Sequence, residues 1–201
     1  MTRASSNVLV DHFASTESIV WDALWISGFA LLTAVFAQFY VRLPVTPVPL
    51  TGQTLAVLAS GAVLGSRRGF LSQIVYLGLG VAGLPVFAGG ASSLTHLLGA
   101  GGGYLLSFPI AAALLGWLVE RGASRRTWTL ALALIAANAA VLAGGVTWLW
   151  AVWGGSVRNA LMLGFYPFVV SDIVKIVMLG VPLPWLVRRM GGTMAGLGAG
   201  E

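Results

Sequence analysis

Apolar residues run along this chain in long blocks, broken by short segments rich in Gly, Pro and Arg. Read against a hydrocarbon layer about 30 Å thick, the pattern predicts six helical spans. The first covers Ile19 to Tyr40 and is followed by VRLPVTPVPLTG, whose prolines forbid a continuous helix. The second covers Gln53 to Leu64, ended by GSRRG, and the third Gly69 to Leu84, followed by the Gly-rich PVFAGGASSLTHLLGAGGG. The fourth runs from Tyr104 to Val119, the fifth from Trp128 to Trp150 and the sixth from Phe165 to Val187. At roughly 18 Å, the second is too short to cross alone unless the last turn of the proline loop joins it.

The fixed cations order these spans. Arg67 and Arg68, then Arg121, Arg125 and Arg126, then Arg188 and Arg189 follow spans two, four and six, whereas the opposite junctions hold only Arg42 and Arg158. Positive charge marks the cytoplasmic side. The expected fold is therefore an all-α integral membrane protein, a six transmembrane-helix bundle with both termini cytoplasmic. A polar tail over residues 1–18, one membrane domain over 19–190 and a short Gly-rich tail over 191–201 complete the organisation.

Composition narrows the class. Only 8% of the 201 residues are charged while 58% are hydrophobic, and mean hydropathy is +0.91. A soluble domain carries about 25% charged residues, so this chain cannot cover a globular surface. The net charge of +5 could suggest nucleic acid, but the arginines cluster between apolar runs and read as topology anchors, so no nucleic-acid partner is expected. With no cysteine, thiolate metal sites and cysteine nucleophiles are excluded, and His12 and His96 lie in different segments, so no metal site is expected. No basic start leads into an apolar core over the first eighteen residues, so no cleavable signal peptide is expected. HExxH, GxSxG and paired carboxylates are missing, which argues against an enzyme, and no GxxxxGK[ST] run occurs, so active transport must draw its energy elsewhere.

The chemistry concentrates in PFVVSDIVKIVMLG, residues 167–180, where Asp172 and Lys175 share one face of an apolar helix. Each would cost roughly 2.5–3.5 kcal/mol alone at mid-membrane. Two readings compete: a neutralised pair that packs the helix, or a site whose donor and acceptor match a ligand carbonyl beside N–H groups, as in a urea or amide ring. TPVPLTGQT, residues 46–54, is either a proline-stiffened connector or a lid whose Thr51 and Gln53 cap a pocket, and Gln53 can equally open span two. Tyr104 either stacks on a ligand ring or anchors at the interface, and Trp148 to Trp153 are belt residues or pocket wall. Ala30 and Ala34 form a small-xxx-small pattern that serves internal packing or docking of a partner.

Taken in order, PVTPVPLTGQTLAVLASGAVLGSRRG, YLGLGVAGLPVFAGG, GGYLLSFPIAA and PFVVSDIVK resemble the signature stretches of the BioY family, biotin-binding S components of energy-coupling-factor (ECF) vitamin transporters. The likeness spans roughly Val41 to Met178. It implies a six-helix protein of the prokaryotic cytoplasmic (inner) membrane, in contact with lipid, that takes biotin from outside as its transported ligand and holds no cofactor. It also implies partnership with a transmembrane coupling subunit and ATPase subunits. On this resemblance Asp172 and Lys175 bind biotin's urea, Thr51, Gly52 and Gln53 belong to the lid, and Phe87, Gly103 and Tyr104 complete the substrate-binding set. Ala30 and Ala34 match the contact motif of S-component first helices. The chain departs from the family pattern at GAGGGY, where Gly-Pro-Thr-Gly-Gly-Tyr is usual, and at VVSD, where Ile-Pro-Gly-Asp is usual. An S component for another vitamin, or a facilitator for a small polar solute, are the alternatives. Reporter fusions after Arg68, Arg126 and Glu201 are expected to report the cytoplasmic side, and an outside signal at any of them contradicts the orientation.

Overall fold

The computed structural model describes residues 19–153 and 156–183. The proposed terminal tails, Trp185 and Val187 at the end of the sixth block, Arg188 and Arg189 lie outside the described residues. Helix α1 spans Ile19–Gln38, and strand β1, Tyr40–Val41, pairs antiparallel with β2, Leu50–Thr51, closing the proline segment into a strap. Then come α2, Gln53–Val81, the short α3, Leu94–Leu97, and α4, Gly102–Glu120. The chain continues through α5, Thr127–Trp153, α6, Val157–Gly164, and α7, Tyr166–Gly180.

α2 is a hairpin. Gly65 sits at φ 82° and ψ −176°, backbone that side-chain-bearing residues rarely adopt, and the helix doubles back there. Gln73 Nε2 lies 3.1 Å from Ser60 Oγ, whereas thirteen residues of straight helix would separate the two by roughly 20 Å. The arms meet backbone to backbone, since a Cβ on Gly69 would lie 3.0 Å from the Gly61 Cα. Sequence reading placed a connector over GSRRG; in the structure Gly65 alone breaks the helix. Glu120 explains why the second arm resumes at once: its carboxylate accepts from the Ser66 backbone N–H at 2.7 Å and from Ser66 Oγ at 2.9 Å, capping that arm's N-terminus.

The same contacts define one end of the bundle. Arg68 pairs with Asp22, in the first turn of α1, at 2.8 Å, and the last turn of α4 lies beside the hairpin tip. At the opposite end gather the strap, the Gly-rich loop and α6: Thr46 Oγ1 donates to the Leu163 carbonyl at 2.7 Å, and Trp148 Nε1 donates to the Gly99 carbonyl at 2.9 Å. Successive helical rods thus run alternately between the two ends. Gln73, Ser60, Ser72 and Thr33, all fully buried, form a polar knot that ties α1 to both arms of α2.

Three helices, α1, α4 and α5, are long and apolar enough to cross a membrane, and the bent pair α6–α7, 42° at its break, makes a fourth. Their outward residues, among them Leu31, Ile110, Ile135 and Val174, are exposed and apolar, as a lipid-facing surface requires. The sixth block starts earlier than its sequence suggested, at Val157, and is interrupted at Phe165, next to a proline in the first turn of α7. α1 ends at Gln38 because Tyr40 is taken by β1.

Of the two small residues proposed for docking, Ala30 lies inside the chain and Ala34 is partly buried. Ala30 is fully buried and shares its face of α1 with buried Thr33 and Ala37, while Ala34 packs against the same core. Small side chains here let α1 approach α2 closely within the chain.

Glycine substitutions separate the packing from propensity. A Cβ on Gly116 would lie 2.3 Å from the Gly65 carbonyl carbon, whereas one on Gly28 meets nothing within 4 Å. Gly116→Ala is expected to destabilise the detergent-purified protein by roughly 1–3 kcal/mol through overpacking. Gly28→Ala is expected to stabilise it by up to about 1 kcal/mol. Thermal melts of both variants check the opposed signs.

Candidate ligand-binding site

A cavity of about 520 Å³ opens at the end of the bundle that carries the strap and the Gly-rich loop. That size suits a single small molecule, since ligand cavities run from about 300 to 1,000 Å³. Its floor is polar. Asp172 lies six residues into α7, about 9 Å along the axis, and is 5% exposed. Lys175 Nζ lies 3.0 Å from Asp172 Oδ1 and donates to Thr54 Oγ1, in the first turn of α2, at 3.4 Å. Asn138 of α5 donates from Nδ2 to Asp172 Oδ2 at 2.9 Å. Three helices thereby hold one ion pair that is formally neutral. Such a floor offers both a donor and an acceptor but no net charge.

The walls are aromatic and aliphatic. Tyr104 and Phe168 lie with ring centroids 5.3 Å apart on one side, Phe87 forms another, and Phe108, Val141 and Leu142 fill the rest. Tyr104 keeps its place because Gly145 leaves room for its ring and because its hydroxyl donates to the Gly164 carbonyl at 2.5 Å. That carbonyl lies at the α6–α7 break, so the bond satisfies backbone freed by the interruption.

Of the residues singled out from the sequence, Asp172, Lys175, Tyr104, Gln53, Thr51 and Phe87 line this one cavity. Gln53 is already engaged. It accepts from Thr51 Oγ1 at 2.8 Å and donates to the Tyr76 hydroxyl, which in turn donates to the Val86 carbonyl at 3.2 Å. This chain links the base of the strap to the Gly-rich loop, so Gln53 shapes the cavity as much as it faces it. Gly52 and Gly103 do not line it: Gly52 packs on Phe36 of α1, and Gly103 is pressed against Trp148 and Gly144 of α5. Trp148 braces the Gly-rich loop from behind and is not among the lining residues.

Sequence reading held Thr54 only as the end of the TGQT stretch, and did not place Phe168, Asn138 or the rim formed by Ser92, Ser93, Thr95 and His96 at the site. Phe168 was within reach, because it stands four residues before Asp172 on the same helical face. Nothing in a linear string shows that α5 delivers Asn138 to Asp172. Among the described residues, no three of His, Asp and Glu gather to hold a metal ion.

Comparisons with known proteins converge on one family. The BioY family matches residues 5–192. A probable biotin transporter BioY from Pyrococcus horikoshii is 42% identical over 147 residues, 73% of this chain and 84% of the relative. The biotin transporter BioY of Thermotoga maritima is 38% identical over 138 residues, 69% of this chain and 80% of that one. The crystal structure of the S-component for biotin from an ECF-type ABC transporter superposes with a TM-score of 0.76 at 21% identity. It covers 84% of this chain and 92% of that one, and shows the same fold.

The ion pair makes a stability prediction independent of ligand. Lys175→Met strands a buried carboxylate and is expected to lower ligand-free stability by roughly 1–3 kcal/mol, less than in a sealed core because the cavity admits water. Asp172→Asn combined with Lys175→Met is expected to recover most of that loss, since neither charge then lacks its partner. Melting temperatures of the single and double variants decide it.

Proposed function

This chain belongs to the BioY family, and from that premise we propose that it binds biotin with high affinity and mediates its uptake as the substrate-specific subunit of an ECF-type transporter. Membership makes it a multi-pass membrane transport protein and not an enzyme. The observation that carries the ligand assignment is the neutral Asp172/Lys175 pair on the floor of an apolar, aromatic-walled cavity. Biotin presents a neutral urea, with a carbonyl to accept from Lys175 and N–H groups to donate to Asp172, followed by a sulfur ring and methylenes that suit Phe87, Phe108 and Phe168.

The same reading extends to topology: six crossings of the prokaryotic cytoplasmic membrane, with both termini inside and the cavity open to the outside. The alternation of rods between two ends supports it, as does the concentration of Arg67 and Arg68 at the hairpin turn of α2 and of Arg121, Arg125 and Arg126 just after α4. A transmembrane coupling subunit and ATPase subunits complete the machine, as the solved S-component's assignment to an ECF-type ABC transporter suggests. A continuous pore is disfavoured because Leu58, Leu115, Leu130 and Leu134, all fully buried, fill the bundle towards the hairpin tip.

Purified protein titrated with biotin, thiamine and riboflavin is expected to bind biotin alone; binding another vitamin and not biotin would move the substrate assignment while leaving the fold. Asp172→Asn is expected to weaken biotin binding several-fold, because a charge-assisted hydrogen bond exceeds a neutral one by roughly 1 kcal/mol. Unchanged affinity per folded molecule would remove Asp172 from the site.

A further inference from the structure

The polar floor accounts for one end of a two-ended ligand. A carboxylate is poorly served there, because Lys175 is already neutralised by Asp172 at 3.0 Å and an incoming anion would meet that aspartate. The half-exposed to exposed part of the lining, in the Gly-rich loop, carries Ser92, Ser93, Thr95 and His96. His96 is the other lining residue able to become cationic.

The rim is built and held. The His96 ring stacks on Phe87, centroids 5.4 Å apart and planes 18° apart, and Phe87 is itself met edge-on by Tyr76 at 5.6 Å. Phe87 seats against Gly80, where a Cβ would fall 2.1 Å from its ring, so no larger residue is accommodated without displacing the stack. Ser93, at φ 92°, is the one non-glycine with positive φ among the described residues. Its N–H donates to the Gly80 carbonyl at 2.8 Å and its Oγ accepts from the His96 N–H at 3.3 Å, starting the single turn that presents the imidazole. Strained backbone of this kind persists where the surroundings fix it and clusters at binding sites. Among the described residues neither ring nitrogen of His96 has a hydrogen-bond partner.

We propose that His96, with the hydroxyls of Ser92 and Thr95, forms an anion-binding pole at the cavity mouth that takes the ligand's carboxylate and makes this chain select free acids over their amides. The assignment rests on the biotin reading above and orients the ligand, urea to the floor and acid to the rim. The titratable groups facing this region are Tyr76 on α2 behind Phe87, Tyr104 on α4, and Asp172 and Lys175 across the cavity on α7. His96 is exposed at the rim, and the partial desolvation of its ring lowers its pKa from the ordinary histidine value, so the ring gains charge on acidification. A bound carboxylate favours the charged ring, so preference for the acid grows as pH falls.

The test is calorimetric titration of the full chain with biotin and with biotinamide, in wild type, His96→Leu and His96→Gln. Wild type is expected to favour biotin by about five- to ten-fold, the worth of one charge-assisted hydrogen bond. His96→Leu is expected to bring the ratio near unity by weakening biotin alone. Between pH ~7.5 and ~5.5 the wild-type ratio is expected to rise while that of His96→Gln stays flat. A ratio unaltered in His96→Leu, a loss shared equally by both ligands, or a pH-independent wild-type ratio overturns the proposal and leaves biotin binding standing. Binding of neither ligand by wild type overturns the biotin reading and this pole with it.

Discussion

An ion pair in an apolar bundle organises this protein. Asp172 and Lys175, 3.0 Å apart with side chains 7% and 11% exposed, sit where solvent reaches them only through the cavity. Asn138 from α5 and Thr54 from α2 complete their hydrogen bonds, so the pair also fixes where α2, α5 and α7 converge. A buried pair is weak evidence of a stabilising role, because apolar residues of similar volume commonly hold a core at least as well. Its retention makes sense once its chemistry faces a cavity. There it presents a donor and an acceptor without net charge, which a neutral polar ring can use and an ion cannot.

The remaining architecture serves to keep that floor beneath a cavity and to close the other end. Irregular backbone is tolerated at membrane depth only where protein or a cavity surrounds it. The strap, the Gly-rich loop and the α6–α7 break all lie at the cavity end, and each is tied by side chains: Thr46 to Leu163, Trp148 to Gly99, and Tyr104 to Gly164. At the far end the helices meet tightly through Gly61, Gly65, Gly69 and Gly116, and Leu58, Leu115 and Leu134 pack together as a buried cluster. One half of the bundle therefore encloses a cavity, and the other is filled by packed side chains.

Much of this was legible before any coordinates. Long apolar blocks announced α1, α4 and α5, and an aspartate and a lysine three residues apart in a greasy helix announced the floor. Positions that depend on which helices become neighbours were not legible. Gly65 looked like part of a five-residue connector because the Glu120 cap that restarts the helix at Ser66 lies 54 residues away. Ala30 and Ala34 advertised close approach but not to what, and Ala30 is buried in the core of the same chain. Gly52 and Gly103 were drawn in by their neighbours in sequence, yet glycine's close approach is used there for helix packing. His96 was set aside as a lone histidine because its platform, Phe87 on Gly80, forms only when the Gly-rich loop folds back over α2.

The central claim is that the Asp172/Lys175 floor receives the urea of biotin. An experimental structure of the purified protein with biotin bound tests it most directly. The account predicts the urea oxygen within hydrogen-bond distance of Lys175 Nζ, an N–H directed at an Asp172 carboxylate oxygen, and the sulfur ring between Phe87 and Phe168. A complex with the ligand's carboxylate on Lys175, or with biotin outside this cavity, would contradict it.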